Sequence, residues 1–388
     1  CKENRIFAAT SHEFSHMGLK RTLLLIGLYP WRCIADVPKW DIPEPGFDWP
    51  PPEHTSISLF DDMGNLSFEL AVGCPTKVQN LFNQGFRFIA VFDITRAVKS
   101  FRAAQQAAGS EKDCPLCVWG EALALGPNLN AFDEPRILRS VPLAFKKATQ
   151  ANDYQRAARL NSTCASHGEG KLAQRDRALT EALTYRFAPT AREYVQNEVN
   201  NRRLYAEAMA KLQEISADDA NVLSLIAEAW MNTHPWNYWW NLAKARPETV
   251  KAIDALEDAL RRQPSHGYAV HLYIHVLEAS ANAAKAVPFA KILPKLFPGA
   301  PHTIHMAFHT LMHTGGYKFS EEVNAEASTM PRQVYPMHNL DTLAWICRME
   351  GRSHCALKAA AKLEHLCMDW LVVPNFFETG FPLSRFGV

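Results

Sequence analysis

Ten of the fifteen histidines fall between His266 and His365, a concentration that asks for a chemical reason. His271 and His275 are four residues apart, as are His305 and His309. On a helix each pair projects from one face. Neutral imidazole is a good ligand for zinc, copper, iron and nickel, and a carboxylate in the set widens the choice to iron or manganese. Glu278 follows His275 by three residues, His302 just precedes His305, and His338 lies 33 residues beyond His305. The candidate metal ligands are therefore His271, His275, Glu278, His302, His305, His309 and His338, with His313 an optional neighbour one turn beyond His309. An open position on such a metal would activate water or oxygen. The residue after His271 is not the Glu of a zinc protease, which disfavours that reaction. The competing explanation is structural: imidazoles bonded to backbone, or a groove that takes an acidic peptide or a small anion.

Ligands in this order need helices at a fixed spacing, and the chain carries a repeat. Ala252, Leu256, Ala259 and Pro264 are followed 34 residues later by Ala286, Ala290, Leu293 and Pro298. Small residues let neighbouring helices approach closely, and the proline ends a helix before the next repeat. The same four-three step occurs as Ala97, Phe101 and Ala104, and Gly315 with Tyr317 marks a turn joining two helices. His271 and His305 are also 34 residues apart, as are His275 and His309, so the pairs occupy equivalent positions in successive repeats.

These positions resemble the tetratricopeptide repeat, a 34-residue helix-turn-helix unit. The chain is further similar to tetratricopeptide proteins that carry fixed strings. The strings are Phe82-Asn83-Gln84-Gly85, the run from Trp119 through Asn130 (WGEALALGPNLN), Ala227-Glu228-Ala229 with Pro235-Trp236, His271-Leu272-Tyr273-Ile274-His275 with Glu278, His305-Met306 with His309, and Tyr335-Pro336-Met337-His338-Asn339. They span about residues 75 to 365. The resemblance implies an all-α superhelix (an α-solenoid) whose first helices line the concave surface, neighbours lying about 8–10 Å apart. Facing imidazoles would then meet around one or two ions. The chain departs from the family where an Asn-His pair is replaced by Asp93-Ile94 and a second histidine by Asp341, which weakens any activity carried over from relatives.

Periodicity and helix-favouring composition predict helices over 76–106, 117–125, 134–150, 175–187, 201–215, 222–231 and 247–262, with no comparable set of strands. Residues 161–170 read as a loop, 355–371 as a closing helix, and the chain beyond Pro374 as irregular. The organisation expected is a leader over 1–35, a proline-rich linker or overlying arm over 36–74, the repeat domain over 75–371 and a tail over 372–388. Within the leader, Met17 to Ala35 has the three-part order of a secretory signal peptide, although Arg32 stands just before the cleavage position. If it is cleaved the protein is secreted; otherwise the chain is cytoplasmic with a buried N-terminal element.

Other candidates are weaker. Cys114-Pro115-Leu116-Cys117 has redox spacing without the βαβ context, so its thiols read as structural. Trp236, Tyr238, Trp239 and Trp240 form a patch that suits a core plug or a ligand wall. The turn Gly126 to Asn130 offers Asn128 and Asn130 as groove-facing binding residues. No phosphate loop, dinucleotide fingerprint or nucleophile elbow is present, so no nucleotide cofactor is expected.

Composition narrows the classes further. The 388 residues are 47% apolar and 21% charged, as in ordinary globular proteins, and Lys plus Arg (41) balances Asp plus Glu (40). No field attracts nucleic acid or anionic lipid. No apolar run is long enough to span a membrane. Nine cysteines are odd in number and too sparse for a disulfide scaffold, and leave the compartment open. Two functions fit these residues. One is a transition-metal site of copper, iron or zinc in a His-rich groove, with oxygen or water activation. Paired His-x-x-x-His helices match all-imidazole copper pairs in outline, while His275-x-x-Glu278 matches di-iron bundles in reverse order. The other is a metal-free protein–protein interaction scaffold whose groove binds a peptide or partner protein, although His, Tyr and Met on the first helices favour a metal or small ligand instead. Whether the protein is an enzyme stays open.

Overall fold

Prolines and short capping residues cut an otherwise apolar, helix-favouring chain into segments, which the computed structural model describes over residues 56–130, 135–158 and 163–372. The architecture there is predominantly helical. The N-terminal part holds α1 (Thr76–Ala90), α2 (Ile94–Ala108), α3 (Pro115–Leu125), α4 (Pro135–Ala157), α5 (Lys171–Leu183) and α6 (Ala191–Ala210). The short α7 (Leu212–Ser216) and α8 (Ala220–Met231) follow. A two-stranded antiparallel ribbon, β1 (Trp239–Asn241) and β2 (Lys244–Ala245), leads to α9 (Pro247–Arg262), α10 (Gly267–Leu277) and α11 (Val287–Leu296). The C-terminal part is α12 (Pro301–His305), α13 (Ala307–Leu311), α14 (Tyr317–Ala327), α15 (Pro336–Met349) and α16 (Ser353–Val372). The expected leader over 1–35, the first part of the arm and the tail beyond Pro374 lie outside the described residues.

Local chemistry sets the helix starts. Pro115, Pro247, Pro301 and Pro336 stand in the first turns of α3, α9, α12 and α15, where a missing N–H costs nothing. Asp93, Thr190 and Asp219 accept the N–H groups of Arg96, Glu193 and Val222, as N-caps do. One expected helix, 76–106, is instead two. Asp93 caps α2, and Phe92 before it takes a left-handed backbone (φ 59°), so the chain turns at Val91 to Asp93.

Each helix packs on the next in sequence, and α10 also meets α8, α13 and α1. Small residues make the close approaches: a Cβ on Gly85 or Gly120 would stand 2.8 or 2.4 Å from the same Phe101 ring. Residues 56–74 form an extended arm over α1. Asn83 accepts the Phe68 N–H, Gln84 accepts the Phe60 N–H, and Gln79 accepts the Leu70 N–H, while Met63, Leu66, Phe68 and Leu70 enter the core.

Cys74–Cys164, Cys114–Cys117 and Cys347–Cys355 are disulfides, with Cα atoms 4.6, 5.2 and 5.7 Å apart. The Cys114-x-x-Cys117 pair is thus bonded to itself, because the first turn of α3 brings the two residues onto one side. In the aromatic patch Tyr238 is buried and Trp240 is 51% exposed, and Trp239 donates to the Val276 carbonyl (2.7 Å). No helix among the described residues is long and apolar enough to cross a membrane.

His266 caps α10. Its Nδ1 accepts the Ala269 N–H (3.2 Å) and its Nε2 meets Asn221 Oδ1 (3.0 Å), which requires a neutral ring. Burial pulls its pKa down from 6.5 to about 4. The unfolded chain therefore binds a proton that the fold rejects, so stability is complete above 6.5 and is lost as pH falls from 6.5 towards about 4. His266→Asn keeps a cap without this titration. Urea unfolding across that range should show a slope shallower by about 1.4 kcal/mol per pH unit; an unchanged slope would exclude this role.

Candidate metal centre

The helix α10 is apolar on every side and buried along its whole length, so its two histidines have no solvent face to occupy. The same holds for α12 and α13. His338 enters from the first turn of α15, which Pro336 starts. The six imidazoles are between 0% and 8% exposed. They form two triads, His271 with His275 and His302, and His305 with His309 and His338.

The triads converge through Nε2. His271 Nε2 lies 3.1 Å from Nε2 of both His302 and His275. His309 Nε2 lies 2.9 Å from that of His305 and 3.3 Å from that of His338. Two nitrogens bound tetrahedrally at metal–nitrogen distances of about 2.0–2.1 Å are separated by about 3.3 Å. Each triad could hold a metal ion with only small adjustments.

Two of the rings commit Nδ1 to the protein. His271 Nδ1 donates to the Ala90 carbonyl (2.6 Å), and His305 Nδ1 donates to Asn324 Oδ1 (2.6 Å), whose amide in turn donates to Ser320. Glu278 Oε2 is 3.0 Å from His309 Nδ1 and 3.7 Å from His275 Nδ1. A carbonyl and an amide oxygen only accept, so these two bonds place the ring proton on Nδ1 of His271 and His305 and leave their Nε2 lone pairs pointing inward. Glu278 thus faces the outer side of the imidazoles, the position of a residue that orients ligands.

Burial dominates the electrostatics. It lowers the pKa of His271 to about 4 and those of His275 and His309 to about 3. His302, His305 and His338 are held well below the usual imidazole range by burial and by their neighbouring imidazoles. Burial raises the Glu278 carboxyl, and His275 opposes that rise. Neutral imidazole is the form that binds metal.

An aromatic shell closes the centre. Phe92 lies 4.5 Å from His271, 5.8 Å from His275 and 5.6 Å from His302, ring to ring. Trp236 meets His275 edge-on at 5.0 Å, Tyr335 meets His302 at 4.9 Å, and Phe308 packs on His305 and His309. Among the described residues the non-glycine positions with left-handed backbone are Phe92, Trp236 and Arg332. All three border the centre or the pocket beside it. Such strain collects at functional sites.

All seven residues in the expected ligand set therefore meet, six through Nε2 and Glu278 from behind. Trp236 stands at the site. Asn128 is occupied by its own turn, accepting the Asn130 N–H (2.8 Å), and neither asparagine is part of the triads. His313 is exposed. Asp93 is the α2 cap, and Asp341 is a carboxylate whose pKa burial raises, so neither departure position supplies an imidazole. Sequence reasoning missed Phe92, Asn324 and the Ala90 carbonyl, none of which belongs to a metal-ligand type. A third cluster, Glu321 with Cys347 and Cys355, is taken up by the disulfide.

No protein-family model matches the chain, and no curated protein matches it. The chemistry of the centre rests on its geometry. Asn324→Ala would strip the buried His305 N–H of its acceptor and should cost about 1–3 kcal/mol in chemical denaturation. A change below about 0.5 kcal/mol would show that the bond does not hold the ring.

Proposed function

We propose that this is a tetratricopeptide-type repeat protein that binds two transition-metal ions, one in each His triad, and that copper suits the donor set best. The observation that carries the proposal is the convergence of three buried imidazole nitrogens within 4.8 Å of one another in each triad, with Nδ1 of His271 and His305 donating to the protein and their Nε2 turned to the other rings. Iron and manganese favour a carboxylate in the ligand set, whereas Glu278 approaches only Nδ1 atoms. Of the remaining ions copper binds imidazole sites most tightly, following the Irving–Williams order.

Support for the repeat comes from the two 34-residue registers. Ala252, Leu256 and Ala259, and their counterparts Ala286, Ala290 and Leu293, are fully buried, as contact positions between stacked helices must be. The equivalent residues His275 on α10 and His309 on α13 lie 5.6 Å apart, ring to ring. Three disulfides favour an oxidising compartment, in keeping with the signal-like order of Met17 to Ala35.

Elemental analysis of the untagged protein should find about two equivalents of copper, one per triad. His271→Ala with His305→Ala should abolish retention while helical content persists. Glu278→Gln should weaken binding by about 10–100-fold, as loss of a residue behind the ligands does. Less than about a tenth of an equivalent after incubation with copper, zinc or iron would overturn the proposal; two equivalents of zinc with no copper would overturn the choice of metal.

A further inference from the structure

We propose that the two triads work as one centre for dioxygen, reached through the pocket beside His302; this rests on the copper proposal above. The triads are not independent. His275 and His309 are 5.6 Å apart by ring centroid, and His302 and His305 stack at 6.2 Å. A single carboxylate oxygen of Glu278 faces one imidazole from each triad. One copper(I) can surrender one electron, whereas capture of dioxygen in its two-electron-reduced form needs two. Each copper(I) gives one electron, dioxygen accepts both, the O–O bond is kept and no proton moves. Release returns the electrons.

Size and polarity select the ligand. With six buried imidazoles under Phe92, Trp236, Phe308 and Tyr335, an organic substrate cannot touch the centre without displacing that shell. A small pocket is lined by His302 together with Met63, Phe88, Val91 and Val334. Its charged members are already engaged. Arg332 binds Asp62 and the Gly299 carbonyl, and Asp93 binds Arg96. What the pocket offers is apolar wall, which suits a small uncharged molecule rather than an anion.

The full chain, loaded anaerobically with copper(I), is exposed to dioxygen in an oxygen-electrode cell. The expected uptake is about one dioxygen for every two coppers. His302→Ala should keep the second triad's copper yet lose uptake by about tenfold or more, because a lone ion lacks the second electron. Val334→Trp should keep both coppers and slow uptake by about tenfold; Val334→Phe makes the same test if the larger ring costs metal. Protein that holds two coppers and takes up no dioxygen overturns this inference alone. So does equal uptake per copper in the His302 variant, which removes the pairing, or an unchanged rate in the copper-retaining pocket variants, which removes the route. Failure to hold copper at all overturns the metal proposal and this inference together.

Discussion

A neutral imidazole has one donor and one acceptor nitrogen, and this fold spends the donors on itself. His271 and His305 turn Nδ1 towards the Ala90 carbonyl and Asn324, which leaves their Nε2 atoms as acceptors inside a buried volume. Everything else around the centre serves that division. The Ala90 carbonyl is available because α1 ends there, where the last turn of a helix leaves its C=O groups without intrahelical partners. The break at Phe92 and Asp93 creates that end. Without it a single helix would use the same carbonyl for its own ladder and His271 would lose its anchor.

Holding these groups in place has a cost that the surrounding packing offsets. Left-handed backbone at a non-glycine residue costs about 1–3 kcal/mol, and Phe92 and Trp236 both adopt it while placing their rings on imidazoles. Burying six imidazoles away from water adds a further penalty. Close-fitting apolar contacts oppose these terms. The Phe101 ring lies against two glycines, and Phe297 stands where a Cβ on Gly267 would be, 2.4 Å from its ring, so α10 begins in close contact with the chain before α12. The arm over 56–74 adds four core side chains and ends at the Cys74–Cys164 disulfide.

Several residues of the strings quoted from the sequence have individual structural reasons. Asn83 and Gln84 hold the arm, Gly120 admits Phe101, Glu121 binds Arg102 and Lys147, and buried Glu228 pairs with buried Arg186. Each of these residues has its partner outside its own string. In the Gly126 to Asn130 run a turn explains Asn128 without a ligand. Glu278 shows the limit of such inference. Its spacing from His275 marked it as a metal ligand, yet spacing cannot say which nitrogen of which ring a carboxylate will face.

The sequence by itself determined that the chain is helical, where several of its helices start, and that His271, His275, His305 and His309 share one register. Those are local properties, set by capping, proline geometry and the 3.6-residue turn. Tertiary structure alone decided that six imidazoles close into two triads, that Glu278 stands behind them, and that the helix expected over 76–106 must break. His271 and its anchor at Ala90 are 181 residues apart. A ring nitrogen commits its proton to whatever acceptor arrives in space, and nothing in the spacing of a helix encodes which one that will be.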